Sequence, residues 1–577
     1  MINSIVNLLK ILSNRSRLNL LFLLCSAVIA SFLELVGISA IVPFLGMIFD
    51  PESFLQNNTL LTLIEIFEVP AEYLTLNVFA ASFGLAAICS ASFRVLQLIL
   101  QLKVAHNIGR DIGFEIFKRR FEYAYNNESK YSGNEISSLI TIKSNMLANQ
   151  VIVPLIIGVS SFVMLSTILA FLFMLDPAIA ITGACLFAGL YGLTLLIVHK
   201  RVLWHSRIIS ATADDIVKMV TDAEKLTVDI VLGQRQKFFS KKYFCAEKKY
   251  RQSQAMISGY GGAPRFIIEA IALIIFSLLA VLLSLSPTGL VSALPTLGAF
   301  AVGAQKILPL FQQQYYSWTS IIGAYQVVDD IVKFYERNPY VNQTASTSLS
   351  TEINEISLVN VSMQKGSRKL FENLNFTIRR GDLVGIIGRT GSGKTTLVDV
   401  ICALQKPSTG QLLINSAVID DYNVFAYRNN ISYVTQDIYL LSGTVLSNIA
   451  FGLETHEIDM QRVIDACKSA QILEDIFGLP DHFHTKVGNG GVKISGGQRQ
   501  RIGIARALYK QSSILVFDES TNALDQDTER RVIDTILGLD NRITKIIISH
   551  NPKSLQKCDL LIDINKKGIE IDTKKKK

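Results

Sequence analysis

Gly388-Arg389-Thr390-Gly391-Ser392-Gly393-Lys394-Thr395 matches the phosphate-binding loop pattern of Gly, four residues, Gly, Lys and then Ser or Thr. The apolar run Leu383 to Ile387 precedes it and predicts a strand, and the segment Thr395 to Ala403 predicts a helix after it. In such a setting, backbone N–H groups turn toward phosphate oxygens and the helix N-terminus adds partial positive charge. A glycine-rich turn without nucleotide is the alternative, and the complete match in this setting disfavours it.

The loop residues have separate expected roles. We expect Lys394 to reach the β- and γ-phosphates of a nucleotide and the hydroxyl of Thr395 to ligate Mg²⁺. The residues predicted to bind ATP in this stretch are Gly388, Arg389, Thr390, Gly391, Ser392, Gly393, Lys394, Thr395 and Thr396.

Composition divides the 577 residues into a membrane half and a soluble half, and the strand and helix on either side of the phosphate-binding loop predict an α/β fold for the soluble half. Hydrophobic residues make up 49% of the chain and are concentrated before about residue 330, ahead of the phosphate-binding loop. We therefore predict a transmembrane domain at 1–337, a polar linker at 338–351, a P-loop NTPase domain at 352–566 and a basic tail at 567–577. The net charge of +8 lies in particular loops and in Lys574 to Lys577, so it does not indicate a nucleic-acid partner.

Six apolar stretches in the first half are long enough to cross a bilayer as helices. The first is longer than the apolar part of a signal peptide and lacks a small-residue cleavage site, so we interpret it as a retained span. The predicted spans are Leu18–Phe49, Leu74–Leu102, Val151–Leu175, Ala178–Val198, Phe266–Leu285 and Leu297–Ile322.

Basic residues orient these spans. The loops Lys103–Lys143 and Lys200–Arg265 are rich in Lys and Arg, whereas Asp50–Glu72 and Ser286–Pro295 contain neither. The positive-inside rule therefore places the N-terminus, the two long loops and the C-terminal half in the cytoplasm. Helix-like periodicity in both long loops predicts that the spanning helices continue beyond the membrane, with bends near 131–134 and 224–233.

The external loop has an unusual apolar pattern. Its Leu, Ile and Phe side chains could form an amphipathic helix on the outer membrane surface, or an ordinary buried loop helix. They are Leu55, Leu60, Leu61, Leu63, Ile64, Ile66 and Phe67.

Ionisable residues also occur in or beside the spans, where their burial in lipid is costly. They are Glu34, Arg94, Arg265, Glu269 and Lys306. One interpretation is structural, with internal ion pairs or side chains reaching the membrane edge. The other is a positively charged substrate cavity, in which Arg94, Arg265 and Lys306 meet an anionic headgroup.

Further motifs with residue types suited to nucleotide hydrolysis follow the phosphate-binding loop at compatible spacing. Gln436 follows a predicted strand, Ser495-Gly496-Gly497-Gln498 opens a helix, Asp518-Glu519 ends a buried strand, and His550 ends another. We expect Asp518 to hold Mg²⁺ through water, Glu519 to polarise the attacking water, and His550 to contact the γ-phosphate. Any one of these motifs alone is weak, but their order and spacing support one another.

Residues 353–564 resemble the nucleotide-binding domain of ATP-binding cassette (ABC) transporters. The resemblance makes Lys394, Glu519 and His550 catalytic, assigns ATP contacts to Gln436, Ser495, Gly496, Gly497 and Gln498, and assigns Mg²⁺ contacts to Thr395, Gln436 and Asp518. Ser495-Gly496-Gly497-Gln498 resembles the signature motif of that family, and residues 485–491 resemble the loop that precedes this motif in exporter-type members. The chain departs from the usual pattern at three places. Ile494 stands where Leu is usual, Asn522 stands where Ser is common, and Met-Gln-Lys at 363–365 stands in place of an adenine-stacking aromatic residue.

The membrane half resembles that of an exporter-type half-transporter. Residues 32–45 (FLELVGISAIVPFL) and the amphipathic outer segment are similar to the bacterial PglK-type flippases of lipid-linked oligosaccharides. In that family basic residues line the substrate cavity, and Arg94, Arg265 and Lys306 are the matching positions here.

These resemblances imply the ABC exporter fold and a homodimer of the bacterial inner membrane, with ATP and Mg²⁺ shared between two subunits. The implied activity is an ATPase that flips a polyprenyl-pyrophosphate-linked oligosaccharide from the inner to the outer leaflet, in contact with membrane lipid. Two alternatives stay open: export of another amphiphile, such as a lipid A precursor, a peptide or a drug, and a nucleotide-gated channel or sensor.

Overall fold

The structure is a computed structural model of the 577-residue chain. It describes residues 2–40, 44, 47–48, 75–121, 132–175, 177–284, 289–338, 352–366, 368–389, 391–421, 423–488, 491–519, 526–549, 555, 557–565 and 568–573. Several predicted features lie outside the described residues: the outer amphipathic segment, Thr390, the 522–525 motif, His550, the lysine tail and most of the linker.

The first half is helical. Its helices are α1 (Ile2–Ile11), α2 (Asn14–Ser39), α3 (Leu76–Phe121), α4 (Gly133–Ser138), α5 (Ser144–Leu147), α6 (Val153–Leu175), α7 (Pro177–Lys225), α8 (Thr227–Leu232), α9 (Gln236–Gly262), α10 (Pro264–Ser284), α11 (Gly289–Gly323) and α12 (Tyr325–Arg337). Two π-helical turns, Leu139–Lys143 and Ala148–Ile152, join α4 to α5 and α5 to α6 without breaking the helical path.

The long helices confirm the prediction that the spans continue past the bilayer. Helix α7 has 49 residues, and at 1.5 Å per residue it is about 70 Å long, more than twice the hydrocarbon thickness of a membrane. Both predicted bends coincide with helix ends. Ser132 and Glu135 form a capping box at the start of α4, and α7 ends at Lys225 before the short α8.

Five of the predicted spans are supported by helix length and apolar composition. The candidate segments are Asn14–Gly37, Leu76–Phe121, Gly133–Met174, Ile181–Lys225 and Gln236–Ile274. The sixth predicted span, Leu297–Ile322, is helical within α11. It was not among the five, and the side chains of residues 289–304 lie outside the described ones, so a sixth span is not confirmed.

Several helices of the first half share a hydrophobic core, with residues from α1, α3, α7 and α12. Helix α12 buries one face, which includes Val328, Ile331 and Phe334, against neighbouring helices. In the same region the ammonium of Lys143, which is 3% exposed, lies 2.8 Å from carboxylate oxygens of both Asp214 and Asp330. A buried lysine held by two acids explains how a charge is tolerated between packed helices.

The second half is an α/β domain. Its strands are β1 (Glu355–Lys365), β2 (Arg368–Arg379), β3 (Leu383–Gly388), β4 (Thr409–Ile414), β5 (Ala417–Val418), β6 (Ile431–Val434), β7 (Gly443–Thr444), β8 (Lys486–Val487), β9 (Ile514–Asp518), β10 (Thr544–Ile548), β11 (Leu560–Asn565) and β12 (Gly568–Thr573). Its helices are α13 (Lys394–Ile401), α14 (Val424–Asn429), α15 (Val445–Ile449), α16 (Met460–Ser469), α17 (Leu473–Phe477), α18 (Gly496–Tyr509) and α19 (Gln526–Leu537).

The main sheet brings the predicted motifs to one edge. Its order is β12-β11-β3-β10-β9-β6, and β11, β3, β10, β9 and β6 are parallel, while β12 is an antiparallel edge strand. A second, antiparallel sheet has the order β2-β1-β4-β5. Parallel strands end at the same edge, so the loop after β3 and the acids at the end of β9 lie on either side of the end of β10.

Candidate functional site

The phosphate-binding loop connects β3 to α13 as the sequence predicts. A Cβ atom on Gly388 would lie 2.5 Å from the carbonyl oxygen of Ile564 on the neighbouring strand, so the loop leaves the sheet where a larger residue does not fit. Gly393 caps α13 with φ +108°, a conformation that L side chains rarely adopt. These glycines bring the backbone N–H groups of the loop to the helix N-terminus.

The loop also holds a buried hydroxyl. The Oγ of Ser392 has no hydrogen-bond partner among the described residues. An unpaired buried hydroxyl costs free energy, and a phosphate oxygen at this position would accept its hydrogen bond. This atom and the helix N-terminus behind it fit the phosphates of a nucleotide.

Lys394, Glu519 and Gln436 form one contact group. The Lys394 ammonium donates a hydrogen bond to the carbonyl of Gly388 at 3.0 Å and lies 3.6 Å from Oε1 of Glu519. The amide of Gln436 donates to the other carboxylate oxygen of Glu519 at 3.0 Å. The predicted phosphate ligand and the predicted catalytic carboxylate therefore lie within ion-pair distance of each other.

Asp518 is held by two hydroxyls. Thr395 and Tyr433 donate hydrogen bonds to its Oδ2 at 3.2 and 3.1 Å. Burial raises the pKa of Asp518, the nearby Glu519 carboxylate raises it further, and the two hydroxyls and Lys394 act in the opposite direction. A carboxylate and a threonine hydroxyl in contact are hard oxygen donors of the kind that Mg²⁺ prefers, so these residues fit the metal.

Backbone contacts fix the position of Glu519. Its N–H donates to the carbonyl of Ile548 at 3.1 Å, and the N–H of Ser549 donates to Ile386 at 3.3 Å, so the ends of β3, β9 and β10 are tied together. Glu519 has φ +48°, in the left-handed region. This turn ends β9 and directs the carboxylate toward Lys394 and Gln436.

The N-terminus of α18 carries the signature residues that are predicted to contact ATP. Ser495 caps the helix by accepting from the N–H of Gln498, whose side chain returns a bond to the N–H of Ser495. Asp475 accepts from the Gln498 amide at 2.9 Å and from Arg501 at 2.8 Å. The signature segment is thus fixed from both sides, with Gly496 and Gly497 at the helix start.

The structure gives most of the predicted nucleotide residues the local settings that the motifs require. Thr396 lies partly buried in α13, and Arg389 is exposed just after β3. Sequence reasoning missed Tyr433 and Asp475, which hold Asp518 and Gln498. Tyr433 lies in β6 three residues before Gln436, and nothing in the spacing indicated that its hydroxyl reaches Asp518.

The segment 363–365 has no aromatic ring to offer a base. Met363 is 1% exposed and packs in the core, whereas Gln364 and Lys365 are exposed at the end of β1. The Gln364 amide bonds to the carbonyl of Gly366 at 2.9 Å, and the Arg368 guanidinium donates to Gly391 of the phosphate-binding loop at 3.1 Å.

The three predicted substrate-cavity cations separate into two groups. Lys306 and Arg94 both contact Oε1 of Glu34, at 2.7 and 3.4 Å. Arg265 instead pairs at 2.6 Å with Glu269, one turn along its own helix α10. All three therefore have carboxylate partners, as the structural interpretation expected, and Arg94 also lines a cavity between the helices.

Comparison with known proteins supports the cassette in the second half. Residues 371–522 match a family model described as ABC transporter. This match covers most of β2, the phosphate-binding loop, the signature helix and the two acids at the end of β9, Asp518 and Glu519.

Curated relatives are similar to part of this chain. A protein of Francisella novicida named "ATP-dependent lipid A-core flippase" is 36% identical over 224 residues, which is 39% of this chain and 38% of that protein. A protein of the same name from Cupriavidus pinatubonensis is 38% identical over 199 residues, 34% of each chain. The matched part is thus less than two fifths of each of these relatives.

A solved structure has the same fold over nearly the whole chain. The "Structure of a bacterial Atm1-family ABC exporter with ATP bound" aligns with a TM-score of 0.75, covering 97% of this chain and 95% of that one, at 18% identity. The predicted architecture is confirmed: the chain has the Atm1-family ABC exporter fold, a helical transmembrane domain followed by an α/β nucleotide-binding domain.

Proposed function

We propose that this chain, which has the fold of an ABC exporter, is one half of a transporter that hydrolyses ATP to move an amphiphilic lipid across the inner membrane of a bacterium. The observation that carries the proposal is the set of contacts between the two acids at the end of β9 and the first residues of α13. There the Lys394 ammonium lies 3.6 Å from the Glu519 carboxylate. The Thr395 hydroxyl donates to Asp518 at 3.2 Å, beside the N-terminus of α13. These are the side chains that phosphoryl transfer to water requires.

The described residues have separable parts in this reaction. The loop N–H groups, the Ser392 hydroxyl and the Lys394 ammonium would bind the phosphates. Thr395, Gln436 and Asp518 would hold Mg²⁺, which supplies positive charge against the phosphate oxygens when bound. The Glu519 carboxylate would orient and polarise the attacking water, and we keep His550 as its proposed partner at the γ-phosphate.

Glu519 has to change partners for this role. In the structure its two carboxylate oxygens face Lys394 and Gln436. Phosphates arriving at the loop would compete with Glu519 for the lysine, because phosphate carries more negative charge than a carboxylate. Nucleotide binding would thereby release the carboxylate toward water.

We further propose a homodimer. Each chain supplies one phosphate-binding loop and one capped signature helix, with the residues Ser495, Gly496, Gly497 and Gln498 at its start. In the cassette arrangement each ATP lies between the loop of one copy and the signature of the other. Both sites would then be active, because every copy carries Glu519.

The favoured cargo is a polyprenyl-pyrophosphate-linked oligosaccharide, flipped from the inner to the outer leaflet. Support comes from the resemblance of residues 32–45 and from the excess positive charge around Glu34, where Arg94 and Lys306 share one carboxylate. A lipid A precursor is the second candidate, favoured by the names of the partial relatives. Both cargoes are amphiphiles with anionic sugar-bearing headgroups, so they share the recognition chemistry.

The deciding experiment measures leaflet translocation in proteoliposomes. Purified protein is reconstituted with a fluorescent lipid-linked oligosaccharide or with lipid A-core, and accessibility to an external reagent is followed with ATP and Mg²⁺. We expect ATP-dependent movement in the wild type and none in Glu519→Gln, whose hydrolysis rate should fall on the order of 10²–10³-fold with ATP binding retained.

A matched control is Glu372→Gln, which removes an exposed carboxylate paired with Lys369 on the same domain. Wild-type ATPase rates in Glu519→Gln would remove Glu519 from the catalytic role. Active ATPase with movement of lipid A-core alone would select the second cargo, and ATPase without movement of either lipid would count against a flippase.

A further inference from the structure

A cavity of about 400 Å³, lined by both apolar and polar side chains, lies between α2, α3, α6 and α11 in the membrane half. Its size is within the range of small-molecule sites. The polar side chains that line it are Ser31, Arg94, Gln97, Gln101, Ser160, Ser161 and Gln313, and all of them belong to helices predicted to span the membrane. The Ser31 hydroxyl donates to the carbonyl of Val28 within its own helix at 2.8 Å. Polar side chains inside such helices are costly in lipid, so each requires an explanation.

Hydrogen bonds between helices explain four of these side chains. The Gln101 amide donates to Ser160 at 2.8 Å and joins α3 to α6. The Ser161 hydroxyl donates to the side-chain carbonyl of Gln313 at 2.6 Å and joins α6 to α11. Contacts of this type hold transmembrane helices together without any ligand.

Gln97 is not explained in this way. It is 9% exposed, and its side-chain Nε2 has no hydrogen-bond partner among the described residues. A buried donor left unpaired destabilises the protein unless something outside the chain accepts from it.

Arg94 lies one helical turn before Gln97 and lines the same cavity. Its side chain is 48% exposed, and its contact with Glu34 is long, at 3.4 Å through Nη1. Glu34 is held more closely by Lys306 at 2.7 Å and by Ser90 at 2.6 Å. The two cations exceed the one carboxylate, and the described residues that line the cavity include no acid.

We infer that this cavity binds the part of a lipid headgroup in which a phosphate adjoins a sugar. Arg94 meets the phosphate, and the Gln97 amide donates to an oxygen of the adjoining sugar. The charged Arg94 guanidinium is the stronger partner for the phosphate, which leaves the neutral Gln97 amide, one helical turn away, to donate to the hydroxyl or acetamido oxygens of the sugar. The inference rests on the proposed function and specifies which feature of the cargo the chain reads.

The test uses two synthetic probes that differ in one group. The first is a polyprenyl pyrophosphate, and the second is the same lipid carrying a single N-acetylglucosamine. Binding of each to the full-length protein in nanodiscs is measured without ATP by native mass spectrometry, and stimulation of ATPase activity is measured in parallel.

Gln97→Leu should weaken binding of the sugar-bearing probe about three- to tenfold and leave the bare lipid within about twofold, because one neutral hydrogen bond is lost. Gln97→Glu keeps the shape but replaces the donor with a negative charge, so it should weaken both probes. Arg94→Gln should weaken both probes as well. The control Gln252→Leu changes an exposed glutamine on α9 and should change neither.

Thermal unfolding keeps the result interpretable. Replacing an unpaired buried amide with leucine should not lower the unfolding midpoint, whereas Gln101→Leu should lower it by breaking the α3–α6 bond. Equal weakening of both probes by Gln97→Leu, or no weakening of either, would overturn the inference.

The two proposals fail in different ways. If the wild type binds neither probe but hydrolyses ATP and moves another amphiphile, the headgroup inference is lost and the transporter stands. If the sugar-bearing probe binds through Gln97 but ATP moves no lipid, the binding site stands and the flippase function is lost.

Discussion

The charged residues of the nucleotide half and those of the membrane half behave differently. In the nucleotide half, four predicted residues converge on one place, with Lys394 beside Glu519 and Thr395 beside Asp518. In the membrane half, three predicted cations separate, so that Arg94 and Lys306 share Glu34 while Arg265 pairs along its own helix.

The difference follows from what determines each arrangement. In the nucleotide half, parallel strands carry the motifs to one edge of a sheet, so strand order alone makes distant residues neighbours. In the membrane half, contact depends on the rotation of long helices about their axes, which the position of one charge in a sequence does not specify. Motifs at strand ends therefore predict three-dimensional sites better than single ionisable residues in spans.

The largest effect is expected when Lys394 is removed from the nucleotide site. Lys394→Ala should weaken ATP binding on the order of 100-fold, because charge-assisted bonds to phosphate contribute about 1.5–3 kcal/mol each. Equilibrium binding of a fluorescent ATP analogue measures it. Lys468→Ala, an exposed lysine of α16, is the matched control, and an affinity within twofold of the wild type in Lys394→Ala would contradict the site.

The next effect tests whether the membrane charges are structural. Glu34→Gln should lower the free energy of unfolding by about 1–3 kcal/mol, because it leaves Lys306 and Arg94 without their buried carboxylate. Thermal unfolding in detergent gives the measurement.

Glu269→Gln is the matched control for that variant. It removes the partner of Arg265 from a half-exposed pair on one helix and should cost less than about 0.5 kcal/mol. Equal effects of the two substitutions would mean that Glu34 is no more important to the fold than a surface pair.

A smaller effect is expected when the hydrogen bond from Tyr433 to Asp518 is removed. Tyr433→Phe should raise the Mg²⁺ concentration for half-maximal ATPase activity about three- to tenfold, since one hydrogen bond that orients the carboxylate is lost. Tyr427→Phe is the control, because its hydroxyl is also buried and donates to the carbonyl of Ile401 at 2.7 Å. A changed Mg²⁺ response in Tyr427→Phe would show that the effect is only one of stability.

Much of the fold and of the nucleotide site could be predicted from the sequence. The strand before Gly388, the helix after Lys394 and the acid pair after β9 each have local patterns that predict them. The continuation of the spanning helices into the long loops, with bends near 131–134 and 224–233, is predicted by the helix-like periodicity of those loops.

Contacts made by unpatterned residues could not be predicted. Tyr433 and Asp475 lie in ordinary stretches, and their partners are set by packing between elements far apart in the chain. No sequence pattern indicates that Gln97 lines a cavity. For Arg94 the sequence leaves two interpretations open, an internal ion pair or a substrate cavity, because it shows which charges exist and not which helix faces them.

The backbone of Glu519 has a consequence for how this chain evolves. A side chain at φ +48° costs about 1 kcal/mol, which Gly, and to a lesser extent Asn, avoids. With the catalytic role proposed for Glu519, selection for turnover keeps the less heat-resistant residue at this position. A library randomised at position 519 and selected only for survival of heating should therefore accumulate Gly and Asn there. Sequencing of the survivors would identify these variants, which are expected to have gained thermal stability and lost ATP hydrolysis.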